Sequence, residues 1–348
     1  MAFQKYEWCK TWVEHMAPAV GASPLIVCGR DVAGEVVFIL PFQKREIGKV
    51  RVLEWLGQQS GTACGGVYAT SFCSEAGQVW FNKNFRSALN LLGHLEALNF
   101  RHMPKTILGR LNPLTILLQS PSANASFVLN LQKQYEVILQ AKRSSRSISK
   151  MRRRDERLEQ SGALTFDILS GDAADSALQL GLLHKNLQLK KAGVASVFDH
   201  HDIEFYRQVL RADKKLLRVF RLQLNGNTLA TMVGATADTN FWLLISALAP
   251  DIDLQFSPGD YLLRRTISIC CAEGISIYDF SLGEQSYKQL WADERVLYFN
   301  SIRALNYRGQ LFAVSNRLTE AVKRFAKHNT RIREFYYEAR QRLRGKKN

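Results

Sequence analysis

The chain has 348 residues, of which 46% are hydrophobic and 22% are charged; this composition is globular and excludes a disordered chain. The length is sufficient for two hydrophobic cores. Lysine and arginine number 47 against 31 acidic residues, a net charge of +16. This excess favours an anionic partner, which is a phosphate-rich cofactor, nucleic acid or an anionic membrane surface.

The six cysteines and the N-terminal residues bear on the compartment and on metal binding. The sequence contains no C-x-x-C pair and no C-x-x-C…H-x-x-x-H pattern, so we expect no structural zinc and no other metal. It begins MAFQKYEWCK, without the basic and apolar regions of a secretion signal. We therefore expect a cytoplasmic protein with reduced cysteines. No apolar run approaches the ~20 residues of a membrane span.

The first part of the chain predicts a mixture of helix and strand. A helix is predicted over residues 8–16, followed by the strands LIVCGR and GEVVFILPF joined by the turn DVAG, and then by the strand VRVLEW. The glycine-rich segment GQQSGTACGGVY lacks the G-K-[ST] ending of a phosphate loop, so we interpret it as a surface or gorge-lining loop. Residues 85–99 predict a helix with leucines on one face.

A strongly basic tract, KRSSRSISKMRRRDERLEQSG, occupies residues 142–162 near the middle of the chain. Its charge and its helix-forming second half predict an exposed helix between two domains. It is interpreted as a solvated connector, and the alternative is a basic arm that contacts an anionic substrate.

The second half predicts a regular series of elements. The strand TFDIL is followed by helices over 175–192 and 203–214, and then by the strands LLRVFRLQL, TLATMVGATA and FWLLISAL. The helix SPGDYLLRRTISICCAEG, the strand ISIYDFSL, a short helix and the strand VLYFNSIRAL complete it. The order β-α-α-β-β-β-α-β-α-β predicts a mixed α/β layer around an antiparallel meander.

The C-terminal tail predicts one long basic helix over residues 311–343. Leu311, Leu318, Phe325, Ile332 and Ala339 recur every seven residues and form an apolar stripe. Such a stripe packs on its own protein, pairs with a second copy in a homodimer, or lies on an anionic membrane.

The segment DFSLGEQSYKQLW combines side chains suited to acid–base chemistry and ligand binding within a short stretch of the chain. Asp279 stands where the strand ISIY ends, and Gly283 predicts a turn because glycine adopts positive φ at little cost. Tyr287, Lys288 and Trp291 then share one side of a new helix. The segment is the first candidate for an active site.

The element order resembles that of the GNAT acyltransferases. LHKNLQLKKAG, GNTLATMVGA, FSPGDYLLRRTI and YDFSLGEQSYKQLW are similar to the cellulose-biosynthesis-type acetyltransferases (CelD/BcsL-like), a group related to the tandem-domain FemAB-like transferases. The resemblance covers most of residues 121–300, and its specific part is DF-x-x-G-x-x-x-YK-x-x-W.

The resemblance implies an α/β (α+β) fold with two GNAT-like mixed-sheet domains in tandem, and the tail adds the long C-terminal basic helix predicted from its own residues. The first domain is expected to be a degenerate copy that shapes the acceptor cleft. The expected boundaries are 1–140 for the degenerate N-terminal domain, 141–162 for the basic connector helix, 163–310 for the GNAT acyltransferase domain and 311–348 for the C-terminal amphipathic helix.

The resemblance also implies acetyl-CoA or another acyl-CoA as donor, and the second domain contains a candidate site for its diphosphate. Ser257, Pro258 and Gly259 open a predicted helix, and a helix N-terminus offers N–H groups and a positive dipole end to an anion. Arg264 and Arg265 lie one to two turns further on and add positive charge. The chain departs from the superfamily here, because the [RQ]-x-x-G-x-[GA] loop is absent and QFSPGD is the nearest sequence to it.

Acyl transfer needs a base for the acceptor and an acid for the leaving thiolate. Tyr287 is the candidate acid, with packing against Trp291 as the alternative. Asp279 is expected to act as the base or to orient the acceptor, with a capping or turn carboxylate as the alternative. His184 is a second candidate base, with a structural helix histidine as the alternative. The expected substrate contacts are Lys288, Gly283 and Trp291.

We therefore expect an acyltransferase that moves an acyl group, acetyl first among the candidates, to a hydroxyl or amine of a small-molecule or saccharide acceptor. The resemblance associates the acceptor with exopolysaccharide, cellulose or cell-envelope synthesis, and direct attack in a ternary complex is expected because no well-placed nucleophile is apparent. One alternative is a FemAB-like transferase that uses aminoacyl-tRNA. Another is a non-catalytic component of a polysaccharide synthase, peripheral at the inner face of the membrane.

Overall fold

The structure is a computed structural model that describes residues 1–107, 109–192, 198–250, 252 and 254–328. Helices occur along the whole described chain: α1 Tyr6–His15, α2 Ala17–Val20, α3 Glu75–Leu91, α4 Tyr135–Lys142, α5 Ser145–Gln160, α6 Gly171–Lys191, α7 His200–Ala212, α8 Pro258–Ala272, α9 Ser286–Trp291 and α10 Tyr307–His328.

The strands alternate with these helices. In chain order they are β1 Ala22–Arg30, β2 Val36–Ile47, β3 Val50–Trp55, β4 Val67–Tyr68, β5 Ala97–Pro104, β6 Thr106–Ile107, β7 Arg110–Leu111, β8 Ser120–Pro121, β9 Ser126–Asn130, β10 Leu164–Leu169, β11 Leu217–Leu224, β12 Asn227–Ala237, β13 Asn240–Leu248, β14 Ile277–Asp279, β15 Glu294–Val296 and β16 Tyr298–Ala304.

The chain divides into two compact units, each built on a mixed sheet of seven strands. The N-terminal unit comprises Phe3–Ala125 and Val296–Asn348, and the central unit comprises Met1–Ala2 and Ser126–Arg295. The mixed α/β fold predicted from the element order is therefore confirmed.

The sheet of the N-terminal unit has the order β1-β2-β3-β5-β16-β8, with β4 paired to β2. Its β1–β2 hairpin, predicted from the turn DVAG, is antiparallel, whereas β3 and β5 are parallel. Phe42, Trp55 and Phe100 form a cluster of mutually tilted aromatic rings in its core. Large fully buried rings of this kind supply much of the hydrophobic stabilisation of a domain.

The sheet of the central unit has the order β10-β11-β12-β13-β14-β9-β15. The meander β11 to β13 is antiparallel, as predicted, β10 pairs antiparallel with β11, and β14 joins β13 in parallel after α8. Phe220, Phe241, Tyr278 and Phe280 are fully buried in its core. The parallel pair matters for function, because a site at the carboxyl ends of such strands is common in α/β sheets.

One expectation from the sequence differs from the structure. The helix predicted over residues 85–99 is instead α3, which ends at Leu91, and β5 follows it. The two compact units divide at residues 125 and 295, since β9 pairs with β14 and β16 pairs with β5, and the basic helix α5 lies within the central unit. The domain boundaries expected at 140, 162 and 310 stay predictions.

The predicted C-terminal helix is present as α10, which begins four residues earlier than expected. Its heptad residues Leu311, Leu318 and Phe325 are exposed, so within the described residues the apolar stripe is not covered by the rest of the chain. Ile332 and Ala339, the remaining residues of that row, lie outside the described residues, as does the rest of the tail after position 328.

Candidate active site

The parallel strands β13 and β14 pair over only three residues, Asn240–Trp242 with Ile277–Asp279. β14 ends at Asp279, whereas β13 continues to Leu248. The two strands therefore part where Asp279 stands, at the carboxyl edge of the pair. Ligand sites of α/β sheets commonly form where parallel strands part at their carboxyl ends.

Asp279 is a buried carboxylate, with 5% of the residue exposed. Its Oδ1 accepts hydrogen bonds from the Ser126 hydroxyl on β9 and from the Ser281 amide, the latter at 2.7 Å. Burial raises the pKa of Asp279 to about 6, against the opposing effects of these hydrogen bonds and of the charge of Lys288. A carboxylate with this pKa is close to the optimum for a general base at neutral pH.

Lys288 is the cation of the same corner, and only 5% of it is exposed. Its Nζ donates hydrogen bonds to the carbonyls of Ser281 and Leu282 at 3.1 and 2.9 Å. Burial lowers the pKa of Lys288 to about 8, the charge of Lys185 adds to that lowering, and the charge of Asp279 opposes it. We call Ser126, Asp279, Ser281 and Lys288 the β14 corner.

Ser281 gives the β14 corner its shape. It has a left-handed backbone conformation, with φ of 58°, which is uncommon for a residue with a side chain. Its hydroxyl is buried and has no hydrogen-bond partner among the described residues. A buried hydroxyl without a partner is costly, and a strained residue beside two ionisable groups is typical of a functional site.

Helix α9 holds Lys288 in place through its neighbours. Trp291 is fully buried in the core, and the guanidinium of Arg143 lies 4.6 Å from the centre of its ring. Trp291 is thus a core residue that fixes α9, and its expected contact with substrate stays a prediction. Gly283 is a turn residue with φ of +119°, as predicted.

Tyr287 is half-buried beside the core, and its ring meets that of Phe280 edge to face at 6.4 Å. Burial raises the pKa of Tyr287 to about 12. An alkyl thiol has a pKa of about 8.5, so a tyrosine with this higher pKa holds its proton too tightly to be a matched acid for a thiolate. The predicted acid role of Tyr287 is therefore weakened.

His184 and Lys185 lie on α6, which packs on β13. His184 is buried, its Nδ1 has no hydrogen-bond partner among the described residues, and burial lowers its pKa. The imidazole is thus neutral at neutral pH, the form that a base requires. Lys185 donates to the Ser246 carbonyl at 2.9 Å, and burial lowers its pKa as well.

The predicted diphosphate site lies at the start of α8. Ser257 has a left-handed backbone with φ of 48°, and its hydroxyl accepts a hydrogen bond from Arg154 at 2.8 Å. Its carbonyl accepts from the amides of Asp260 and Tyr261 at 3.0 and 3.1 Å, and Pro258 carries no N–H. The helix start is consequently well ordered but offers fewer unpaired N–H groups than expected.

Gly259 packs against β13. A Cβ at this position would lie 3.0 Å from the Leu248 side chain, so the glycine permits α8 to approach the strand. Packing thus accounts for the glycine independently of any ligand.

The two arginines of α8 have different surroundings. Arg264 forms ion pairs with Asp155 at 2.6 Å and with Asp260 at 3.1 Å, so its charge is already compensated. The guanidinium of Arg265 lies 5.3 Å from the Phe166 ring, beside a shallow cleft of about 460 Å³. Arg265 is therefore the freer cation for a phosphate, and Arg264 mainly fixes α5 to α8.

Sequence reasoning missed Ser126, Lys185 and Ser281. Ser126 lies 153 residues before Asp279, so no local pattern connects them. Lys185 follows the predicted His184, and only burial distinguishes it from other lysines. A group of three or more residues able to hold a metal is absent from the part of the chain that the structure describes.

Among the described residues, helices are all too short or too polar to cross a membrane.

Comparison with known proteins identifies the class. Residues 144–289 match the family described as "Acetyltransferase (GNAT) domain", and this segment contains α8, β14 and the beginning of α9. The chain is therefore an enzyme of the acyltransferase class. None of the curated proteins compared with the sequence matches it.

Solved structures are similar to the chain over most of its length. FemX is 11% identical, with a TM-score of 0.61, and the alignment covers 89% of this chain and 94% of FemX. The C-terminal domain (DUF2156) of a protein described as a lysylphosphatidylglycerol synthetase, from Agrobacterium fabrum, is 11% identical, with a TM-score of 0.53 and coverages of 86% and 87%.

A third similar structure is L-PGS from Bacillus licheniformis, which is 11% identical with a TM-score of 0.52, covering 90% of this chain and 96% of that one. At this level of identity the likenesses show the fold. Together with the domain match they confirm two GNAT-like mixed-sheet domains in tandem.

Proposed function

We propose that the chain transfers an acyl group, acetyl first among the candidates, from acyl-CoA to a hydroxyl or amine of an exopolysaccharide or cell-envelope precursor. The observation that carries the proposal is the β14 corner, where buried Asp279 and Lys288 have pKa values of about 6 and about 8. Strongly shifted ionisable groups beside a strand end favour acid–base chemistry over a structural role. The cellulose-biosynthesis type remains the proposed subgroup on its sequence motifs.

In the proposed reaction the acceptor attacks the thioester carbonyl directly in a ternary complex. Asp279 takes the acceptor's proton as the new bond to the carbonyl carbon forms, and His184 is the second candidate for this step. Lys288 stabilises the negative charge that develops on the carbonyl oxygen. When the carbon–sulfur bond breaks, Lys288 rather than Tyr287 gives a proton to the thiolate, because its pKa of about 8 is close to that of a thiol.

The corresponding position of the N-terminal unit supports its role as a degenerate copy. There β3 and β5 pair in parallel at Val52 and Leu53, and beyond this point Asn99 donates a hydrogen bond to buried Glu54 at 2.6 Å. Gln43 donates to the same carboxylate at 2.9 Å. Because these side chains of β2, β3 and β5 satisfy one another, we assign the donor site to the central unit alone.

The second candidate is transfer from aminoacyl-tRNA. It is favoured by the fold likeness to FemX over 94% of that chain and by the net charge of +16, since nucleic-acid binding depends on cationic phosphate contacts. The non-catalytic alternative receives no support from the match to an acyltransferase domain. We place the enzyme in the cytoplasm, with peripheral contact to the inner face of the membrane.

Calorimetric titration separates these candidates. We expect acetyl-CoA to bind saturably, with one site per chain, and to be turned over when a suitable acceptor is present. Absence of acetyl-CoA binding, together with salt-sensitive binding of aminoacyl-tRNA, would transfer the assignment to the second candidate. Desulfo-CoA serves as the control that retains the diphosphate and lacks the thioester.

The pH dependence of kcat/KM is expected to be bell-shaped. Activity rises as Asp279 loses its proton, around its pKa of about 6, and falls as Lys288 loses its proton, around its pKa of about 8. Since the two groups interact, the measured values belong to the pair. Steady-state rates in overlapping buffers test this expectation, and a profile that is flat between these values would contradict it.

Gly259→Val is expected to weaken acetyl-CoA binding roughly tenfold if the diphosphate lies at the start of α8, because the new side chain crowds that turn. The valine also meets Leu248, so the matched variant is Gly259→Val combined with Leu248→Ala, which removes that contact. Affinity is measured by calorimetry. Recovery of acetyl-CoA affinity in the double variant would show that Gly259→Val acts through packing against Leu248. The diphosphate would then bind at a site other than the start of α8.

A further inference from the structure

The exposed face of α10 is apolar and continuous. Leu311, Leu318 and Phe325 are 81, 61 and 65% exposed. Further exposed apolar residues follow the same three- and four-residue steps: Tyr307, Val314 and Val322. These steps place all six residues on one side of the helix. We call this face the α10 stripe.

The opposite face of α10 is fixed to the sheet of the N-terminal unit. Ala313 is buried, and a Cβ on Gly309 would lie 1.8 Å from the Glu96 carbonyl oxygen. Glu320 forms an ion pair with Arg101 of β5 at 2.7 Å. The helix is therefore held in a definite orientation by its packed face. The α10 stripe is exposed because it lies on the opposite side of the helix.

A cleft of about 830 Å³ lies directly before α10 in the same unit, and Leu305 and Asn306 are among its lining residues. Its apolar part is formed by α3 and the start of β5, and these side chains are buried: Phe85, Leu89, Leu95 and Leu98. Its polar part carries Arg86, His94 and Arg303. No acidic residue lines the cleft within the described chain.

Arg303 gives the cleft a cation that lacks a carboxylate partner within the described residues. Its guanidinium donates to the Ile116 carbonyl, and both burial and the nearby charge of Arg317 lower its pKa. An arginine that is destabilised in this way gains from an incoming anion. A phosphate group suits it because a guanidinium binds phosphate oxygens in a bidentate manner.

We propose that the α10 stripe and this cleft form one docking surface for an anionic phospholipid membrane. The stripe enters the boundary between headgroups and acyl chains, and the cleft takes an anionic headgroup against Arg86 and Arg303. The inference is independent of the proposed acyl transfer, since it concerns only the N-terminal unit.

Charge decides between a membrane and a second copy of the chain. Residues 307–348 contain twelve lysines and arginines against three acids. Pairing two such basic segments would bring like charges together, whereas an anionic surface attracts them. The exposed apolar stripe and the basic segment are therefore both complementary to an anionic membrane surface.

Vesicle co-sedimentation of the full chain tests the proposal. We expect binding to vesicles of phosphatidylglycerol and phosphatidylcholine in equal parts, little binding to phosphatidylcholine alone, and weakening by added salt. Leu311→Ser combined with Leu318→Ser is expected to weaken binding about tenfold, since two exposed side chains lose apolar burial in the interface. Arg86→Glu is expected to weaken it about as much.

Val32→Ser and Lys10→Glu are the matched controls, because both residues are exposed and lie elsewhere in the N-terminal unit. They are expected to bind as the wild type does. Equal binding to both kinds of vesicle, or unchanged binding by the stripe and Arg86 variants, would overturn the proposal. A concentration-dependent dimer that the stripe variants abolish would overturn it in favour of a second copy. Acetyl-CoA titration of the same variants is expected to be unchanged, so failure here leaves the proposed reaction intact.

Discussion

Asp279→Asn is expected to lower kcat roughly 10²- to 10⁴-fold, which is the usual contribution of a general base. Asparagine has the same shape and keeps an oxygen that accepts from Ser126 and Ser281, so the corner retains its geometry. The variant loses the ability to take a proton. Acetyl-CoA affinity is expected to change little, which calorimetry checks alongside steady-state rates.

The stability of this variant provides an independent readout. The folded-state pKa of Asp279, about 6, is higher than its ordinary value of 3.8. Asp279 therefore contributes its full stabilisation below pH 3.8, and this stabilisation is lost as the pH rises through about 6. At pH 7 the ionised carboxylate is destabilising. Asp279→Asn is therefore expected to increase the free energy of unfolding at pH 7 by on the order of 2 kcal/mol.

Asp167→Asn is the matched control, since Asp167 lies on β10 and pairs with Arg221 at 3.0 Å. It is expected to retain activity. Unchanged turnover in Asp279→Asn, with His184→Gln inactive, would instead assign the base to the imidazole. Denaturant unfolding at several pH values distinguishes a catalytic loss from a folding defect.

Lys288→Met is expected to lower kcat about 10²- to 10³-fold, because it removes the cation that stabilises the oxyanion and protonates the thiolate. Methionine has a similar length and fills the same buried space. Burial lowers the pKa of Lys288 to about 8, which favours removal of the ammonium, whereas loss of its hydrogen bonds to the Ser281 and Leu282 carbonyls opposes it; the two effects offset, and the free energy of unfolding is expected to change little. Single-turnover rates and thermal unfolding measure the two effects.

Tyr287→Phe is the control that separates the two candidate acids. With a tyrosine pKa of about 12, loss of the hydroxyl is expected to cost less than tenfold in kcat. A large loss in Tyr287→Phe with near-normal turnover in Lys288→Met would restore the tyrosine to the acid role. Equal large losses would show that the two neighbours act together on the leaving group.

The α10 stripe shows the limit of sequence periodicity. The heptad of Leu311, Leu318 and Phe325 predicted an apolar face on a helix, and the helix is present with that face. Periodicity left open whether the stripe packs on the protein itself, on a second copy or on a membrane. It did not reveal that Gly309 and Ala313 form the packed face instead, because small residues that allow close approach give no hydrophobic signal.

The amino-acid sequence by itself determined the local helices and strands and the position of the candidate active site along the chain. The meander, the start of α8, the end of β14 at Asp279 and the Tyr287–Lys288 pair all follow from hydrophobic spacing and turn residues, which act over a few positions. The tertiary structure alone decided which strands join each sheet. β9 brings Ser126 to Asp279 from 153 residues away, and no local pattern encodes such a contact.

Tertiary structure also decided the protonation of the site. Asp279, Tyr287 and Lys288 have ordinary pKa values in an extended chain, and burial shifts the carboxylic acid and the phenol upwards and the amine downwards. The sequence placed these three groups together, whereas their exclusion from water determined which of them is suited to accept a proton and which to give one. Desolvation depends on everything packed around a group, so it exists only once the chain is folded.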